Sequence, residues 1–163
     1  MKRILFSILT LALLLPSRVP AQTKPDFSGT WTMDVSRSES PTYQEFVGPV
    51  TLVIRQTASE LSIETRRGDK VETAVYKLHP SQTLTPALAG APDARAFWRG
   101  MNLVSEAHRN INNVTVTARE VRSLNSSAAE MVVETIMEVQ HGYTLSGTKN
   151  YGTAKDVFTR ASR

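Results

Sequence analysis

The sequence predicts an all-β protein, an antiparallel up-and-down β-barrel of about 8–10 strands. Beyond residue 21, the chain holds 35 Val, Ile and Thr residues but only 12 Leu and Met residues, and β-branched side chains fit a pleated, half-buried surface. No window of 12 or more residues carries a sustained helical stripe of apolar side chains. Without helices to cover sheet edges, closure into a barrel is the favoured way to satisfy them.

Short segments that alternate between apolar and polar residues account for most of the chain. Turn-forming residues separate these segments. The long interval 79–93 contains three prolines and a glycine, which predicts a surface loop instead of a central strand. The predicted strands cover residues 27–34, 51–56, 61–66, 70–78, 94–99, 102–109, 114–123, 128–140, 143–149 and 156–160.

The first 21 residues have the three parts of a secretory signal peptide. Lys2 and Arg3 form the positive end, and an apolar run of 12 residues follows over 4–15. A cleavable site ends at Ala21. Because a membrane-spanning helix needs roughly 20 apolar residues, this run is too short for a stable membrane span. We therefore expect a secreted or periplasmic protein whose single domain covers residues 22–163.

Charge and cysteine content exclude several classes of partner and mechanism. The whole chain has a net charge of +4, but the predicted signal peptide holds three of its 19 basic residues and none of its 15 acidic residues. The remaining net charge of +1 gives no electrostatic footprint for nucleic acid. The absence of cysteine rules out disulfides, thiol catalysis and a lipid anchor on an N-terminal cysteine.

Catalytic motifs are also absent from the sequence. The three histidines are isolated, so no metal site is expected, and no serine-nucleophile or phosphate-loop motif occurs. Glu106 and His108 share one face of a predicted strand. They could form an acid–base couple, or they could lie on a solvated outer face. We expect a non-enzymatic protein without a cofactor.

Four motifs in order give the chain a family resemblance. They are the opening phrase D-F-S-G-T-W-T-M-D over 26–34, L-V-I-R-Q over 52–56, W-R-G-M-N-L over 98–103 and V-F-T-R over 157–160. In this order, behind a signal peptide, the chain resembles bacterial secreted lipocalin-like β-barrel domains. The resemblance implies a calycin-type barrel closed at one end. It implies no particular ligand, because this architecture serves carriers, enzymes and scaffolds.

The G-x-W element suggests how the closed end is built. Trp31 on the first strand, facing inward, can plug the narrow end of a barrel, and Gly29 leaves room where strands approach closely. In lipocalins an arginine lies across this indole. The resemblance makes Arg160 the candidate for that cation–π contact.

The barrel interior is the candidate ligand site. Alternation places mostly apolar residues on the inner face, and the tentative ligand-binding residues are Trp98, Ser105, Arg109, Glu120 and Met131. An inward Arg109 would need a partner, either a ligand carboxylate or Glu120. The hypothesis is that the barrel binds a small apolar or amphipathic ligand. In the alternative, side chains fill the barrel, which then serves as a structural or protein-interaction module.

Cleavage of the signal peptide is directly testable. We expect the mature, secreted protein to begin at Gln22, because Ala21 occupies the last position of the cleavage site. N-terminal sequencing of the protein recovered from its own host measures this. Recovery of a membrane-retained chain that still begins at Met1 would contradict both the cleavage site and the compartment.

Overall fold

A computed structural model describes residues 23–39, 49–80, 94–111, 114–140 and 150–162. Within them, nine strands form a closed barrel, which confirms the all-β barrel prediction. The strands are β1 (Gly29–Met33), β2 (Val50–Gln56), β3 (Glu60–Arg67), β4 (Lys70–His79), β5 (Ala94–Arg99), β6 (Asn102–Ile111), β7 (Val114–Leu124), β8 (Glu130–Gln140) and β9 (Asn150–Arg160), and a short 3₁₀ helix spans Val35–Arg37. The predicted signal peptide and the predicted strand 143–149 lie outside the described residues.

One junction of the ring departs from the predicted antiparallel order. Strands β4 and β5 run parallel and pair only from Lys77 opposite Arg95 to His79 opposite Phe97. Every other neighbouring pair is antiparallel, including β1 with β9, which closes the ring. A ring of nine strands cannot alternate direction all the way round, so one parallel junction is required. The chain between β4 and β5 supplies the long connection that a parallel pair needs.

Large side chains fill one end of the barrel, called the closed end below. The Trp31 indole is fully buried, and its Nε1 donates a hydrogen bond of 2.9 Å to the Phe27 carbonyl oxygen. The rings of Phe27 and Trp98 lie 6.1 Å apart at 42°. Leu61, Leu103 and Met131 are also fully buried. These buried side chains are called the floor of the barrel below: Phe27, Trp31, Leu61, Trp98, Leu103 and Met131.

Arg160 ties the closed end together. Its guanidinium lies over the Trp31 ring, 4.2 Å from the ring centroid. The same group donates three hydrogen bonds to backbone carbonyl oxygens, from Nη1 to Ser28 at 2.5 Å, from Nη2 to Asp26 at 3.0 Å and from Nε to Ala128 at 2.9 Å. A single cation thus joins the last strand, the segment before β1 and the turn before β8.

Gly29 makes room for this arginine. A Cβ atom at position 29 would lie 3.0 Å from Arg160 Nη1, closer than almost all Cβ contacts in proteins. The backbone of Gly29 also has φ of +139°, which side-chain-bearing residues rarely adopt. The G-x-W spacing therefore leaves space for the guanidinium that stacks on the tryptophan.

Gln56 forms hydrogen bonds with the segment that precedes β1. The Gln56 side chain accepts a hydrogen bond from the backbone N–H of Phe27 and donates one to the Pro25 carbonyl oxygen, each 3.1 Å long. The Gln56 backbone N–H donates to Ser28 Oγ, also at 3.1 Å. These bonds hold Phe27 in its buried position.

An ion network lies on the outer face of β5, β6 and β7. The Glu106 carboxylate is almost fully buried and accepts hydrogen bonds from Arg95 Nε at 2.7 Å and Arg119 Nε at 2.6 Å. Burial acts to raise the pKa of Glu106, but the two arginines outweigh it and lower that pKa below its ordinary value. His108, on the same outer face, is exposed, and its Nδ1 lies 3.0 Å from Thr117 Oγ1. Glu106 and His108 thus have separate partners, and the solvated-face interpretation holds for His108 but is wrong for Glu106.

Removal of the floor indole tests the closed end. We expect Trp31→Ala to lower the free energy of unfolding by about 3–5 kcal/mol, because it leaves a large cavity and removes the surface on which Arg160 stacks. Thr30→Ala is the matched control, since Thr30 is exposed on the same strand. Urea unfolding of both variants measures the difference. Near-equal loss in the two variants would show that the indole does not hold the floor.

The Glu106 network predicts a pH-dependent contribution to stability. Its lowered pKa means that ionised Glu106 stabilises the fold above its ordinary pKa of 4.5, and that this contribution is lost as the pH falls through the lowered folded-state value. We expect Glu106→Gln to lower the free energy of unfolding by about 1–3 kcal/mol at pH 7. The gap to wild type should narrow as the pH falls below about 4.5.

Glu134→Gln is the control for this experiment, because Glu134 is exposed on the outer face of β8. Its stability should follow that of wild type across the same range of pH. A gap between wild type and Glu106→Gln that stays constant with pH would contradict the assigned role of the carboxylate.

Candidate functional site

The barrel encloses a cavity of about 590 Å³ above its floor. The cavity extends from the floor towards the end of the barrel at which β3 turns into β4 through Gly68. Its wall is mainly apolar, with members such as Met33, Leu52, Val133 and Phe158. The volume falls within the range of small-molecule sites in proteins.

The cavity exists because the inner wall carries small side chains at mid-height. Ala107 on β6 lies opposite Ala118 on β7, and Met137 on β8 lies opposite both Ala118 and Gly152. Ala154 and Ala74 also line the cavity. The floor below has aromatic and large aliphatic side chains on the same inward-facing positions. The barrel is therefore packed at one end and hollow above it, which favours the ligand-binding hypothesis over a filled barrel.

A polar cluster of Ser105, Glu120 and Arg122 interrupts the apolar wall. Ser105 on β6 lies opposite Glu120 on β7, and Arg122 follows Glu120 by two residues, so all three side chains face inward. Arg122 Nη1 donates a hydrogen bond of 2.8 Å to Ser105 Oγ, and Arg122 Nη2 donates one to Glu120 Oε2. Ser105 Oγ lies 3.3 Å from the same carboxylate oxygen.

The two charged members of this cluster differ in accessibility. The Arg122 side chain is 3% exposed, whereas that of Glu120 is 36% exposed, and its accessible part faces the cavity. The positive charge of Arg122 lowers the pKa of Glu120 against the opposing effect of burial, and hydrogen bonds from Arg122 and Ser105 and the charge of Arg67 lower it further. An ionised carboxylate therefore faces the cavity at neutral pH.

The register of β6 and β7 places Ser105, and not Arg109, opposite Glu120. Arg109 lies opposite Val116, whereas Glu120 lies opposite Ser105, so the two levels are about 13 Å apart along the strand. Among the described residues, the charged partner of Glu120 is Arg122, and the suggested Arg109–Glu120 pair stays a prediction. The backbone of Arg109 belongs to β6, but its side chain is outside the described residues.

Trp98 and Met131, two of the predicted ligand-binding residues, do not line this cavity. Both side chains face inward, as alternation predicts, but they lie in the floor and not in the hollow. Trp98 packs against Phe27, and Lys24 Nζ lies 5.6 Å from its ring centroid. Strand alternation fixes the face of a residue and leaves its height along the barrel undetermined.

Arg122 is the site residue that the sequence analysis missed. Its position two residues after Glu120 on one strand was the available signal, because residues i and i+2 share a face. Arg122 Nε is also buried, and no atom of the described residues accepts its hydrogen.

In the described part of the chain, no group of three or more His, Asp or Glu side chains is arranged to hold a metal ion. No helix in this part of the chain is long and apolar enough to cross a membrane.

Comparison with known proteins finds similarity in fold. No protein-family model matches the chain, and no curated protein matches it. The solved structure of wild-type fluorescent protein UnaG has a TM-score of 0.47 and 17% identity, over 83% of this chain and 97% of that one. A mutant of UnaG has a TM-score of 0.47 and 16% identity, over 84% of this chain and 97% of the other. At these identities the similarity is one of fold alone.

Proposed function

We propose that this protein binds a small apolar or amphipathic molecule inside its barrel. The observation that carries the proposal is the cavity of about 590 Å³, with its mainly apolar wall and the polar cluster of Ser105, Glu120 and Arg122. A largely apolar enclosure with a few placed polar groups is the usual design of a small-molecule site. The apolar wall would supply affinity, and the polar cluster would orient the ligand.

Stability alone gives no reason for this arrangement. Protein interiors are close-packed, and an unfilled space forfeits dispersion contacts. An ion pair within a barrel costs desolvation, and apolar residues of similar volume are often at least as stable. Larger side chains in place of Ala107 and Ala118 would fill the space, and apolar residues in place of Glu120 and Arg122 would remove the charges. The hollow and its ion pair together support a binding role.

We infer that the protein acts outside the cytoplasm and does not transform its ligand. The predicted signal peptide over 1–21 supports the location. The D-F-S-G-T-W opening supports membership of the secreted lipocalin-like domains. Arg122 and Ser105 donate hydrogen bonds to Glu120 Oε2, and Arg122 lowers the pKa of Glu120, so the cluster is better suited to hold a ligand than to transfer protons. The proposed role is that of a carrier or a scavenger of small molecules.

Filling the cavity tests this proposal. We expect the neutral fluorophore N-phenyl-1-naphthylamine to bind the wild-type protein, with the fluorescence increase that accompanies transfer to an apolar site. Ala118→Phe should weaken this binding by at least about tenfold, because the phenyl ring occupies ligand space. Thermal unfolding should shift by only a few degrees, since the ring enters a space that is already present.

Thr117→Phe is the matched control, because Thr117 is the adjacent residue of the same strand and faces outward. It should bind the fluorophore as wild type does. Equal binding by wild type and both variants would place the fluorophore outside the barrel. The absence of binding to the wild-type protein would also count against the proposal.

A further inference from the structure

We propose that the cavity selects ligands whose head group donates a hydrogen bond, with a protonated amine preferred over a carboxylate, and that Glu120 Oε1 receives this donor. The inference rests on the proposed function and adds the chemical class of the ligand. It follows from which atom of the Ser105–Glu120–Arg122 cluster faces the cavity with unused hydrogen-bonding capacity.

The guanidinium of Arg122 is committed within the cluster. Its Nη1 donates to Ser105 Oγ and its Nη2 donates to Glu120 Oε2. Only 3% of the side chain is exposed, and Nε is sealed from both solvent and cavity. A ligand carboxylate would have to displace Glu120 to reach this cation. The arginine therefore positions Glu120 and does not present a positive charge to the ligand.

The carboxylate of Glu120 can accept further hydrogen bonds. Both hydrogen bonds that it accepts from described residues reach Oε2, one from Arg122 and the other from Ser105. Oε1 accepts none among the residues that the structure describes. A carboxylate can accept up to about four hydrogen bonds. The side chain is 36% exposed and lines the cavity, which leaves Oε1 as the oxygen of this carboxylate that can accept a hydrogen bond from a bound molecule.

Glu120 is the charge of the described cavity wall that favours a positive ligand. The other acidic members of the wall are Glu72 and Asp156, of which Asp156 interacts with another group, and the basic members are Arg67 and Arg122. Arg67 Nη1 lies 4.0 Å from Glu72, so these two charges offset each other near the rim. An ammonium group in an apolar enclosure needs an opposite charge and a hydrogen-bond acceptor. Glu120 supplies both, and the lowering of its pKa keeps it ionised at neutral pH.

Arg109 provides the competing hypothesis. Its backbone pairs with that of Val116, two positions along β6 from Ala107. If Arg109 anchors the ligand, the cavity selects carboxylates, and Arg109→Met removes that selectivity. The two hypotheses thus assign opposite head-group preferences to the same barrel.

Amphiphiles of one chain length and different head groups distinguish the Glu120 hypothesis from the Arg109 hypothesis. Dodecylamine, dodecanol and dodecanoate, each below its micelle concentration, compete with N-phenyl-1-naphthylamine at pH 7. We expect the amine to displace the fluorophore at a concentration at least about tenfold lower than dodecanoate, as one charge-assisted hydrogen bond implies. Glu120→Gln should remove most of this preference, measured as the ratio of the dodecylamine and dodecanoate concentrations that displace half of the fluorophore from the same variant.

A second variant covers the case in which Glu120→Gln does not fold because it leaves Arg122 unpaired. The double variant Glu120→Gln with Arg122→Met removes both charges together, and it should fold and lose the preference for the amine. Ser123→Ala is the control on the same strand, because Ser123 faces outward. It should keep the wild-type order of the three amphiphiles.

The outcomes are distinct. A preference for dodecanoate that Arg109→Met abolishes overturns the amine assignment and leaves the proposed function intact. An amine preference that survives the loss of Glu120 also overturns it. Fluorophore binding that is absent, or insensitive to Ala118→Phe, overturns the proposed function itself and the head-group assignment with it. An amine preference that depends on Glu120 supports both.

Discussion

The stack of Arg160 on Trp31 is the contact around which the closed end of the barrel is organised. The guanidinium uses its flat face for the indole and its N–H groups for three carbonyl oxygens. Only a planar cation with several donors can serve both contacts at once, and lysine could not replace it. Gly29 is the matching requirement on the first strand, because a Cβ atom there would press on the guanidinium at 3.0 Å and the backbone has a φ of +139°. The opening motif of the chain is thus explained by sterics and hydrogen bonding.

The packed floor determines where the hollow can lie. Floor residues such as Phe27 and Trp31 are fully buried and pack the closed end. Above them, the small side chains of Ala107 and Ala118 on neighbouring strands leave the interior unfilled. The packed floor stabilises the closed end of the barrel. The cavity and the Glu120–Arg122 ion pair lie above it. The division resembles the general separation between a rigid scaffold and the site that it supports.

Most of the fold could be predicted from the sequence, since strands follow from alternation and turn residues. The predicted segment 94–99 matches β5, and 70–78 ends one residue before β4 does. The parallel junction between β4 and β5 could not be predicted, because alternation carries no information about strand direction. Direction follows from the number of strands in the closed ring. That number is a property of the whole chain and of no single segment.

The site was predictable in part for a similar reason. Alternation placed Ser105 and Glu120 on the inner face, where they line the cavity. It also placed Trp98 and Met131 on the inner face, but height along the barrel depends on the stagger between strands, and both residues belong to the floor. The pairing of Glu120 with Arg122 depends on side-chain geometry, because other basic side chains near that wall could also pair with Glu120. Sequence spacing alone did not decide between these partners.

The meeting of β1 with β9 has a consequence for how the chain reaches its native state. Arg160 and Ser28, which share a hydrogen bond across this junction, are 132 residues apart along the chain. The other strand pairs join neighbours in sequence, so their loop-closure entropy is small by comparison. Contacts of such high sequence separation slow folding, because the entropy of the long loop is lost before the contact compensates for it. The pairing of β1 with β9 therefore carries the largest loop-closure cost of any strand pair in the ring, and the hydrogen bonds of Arg160 lie at this junction.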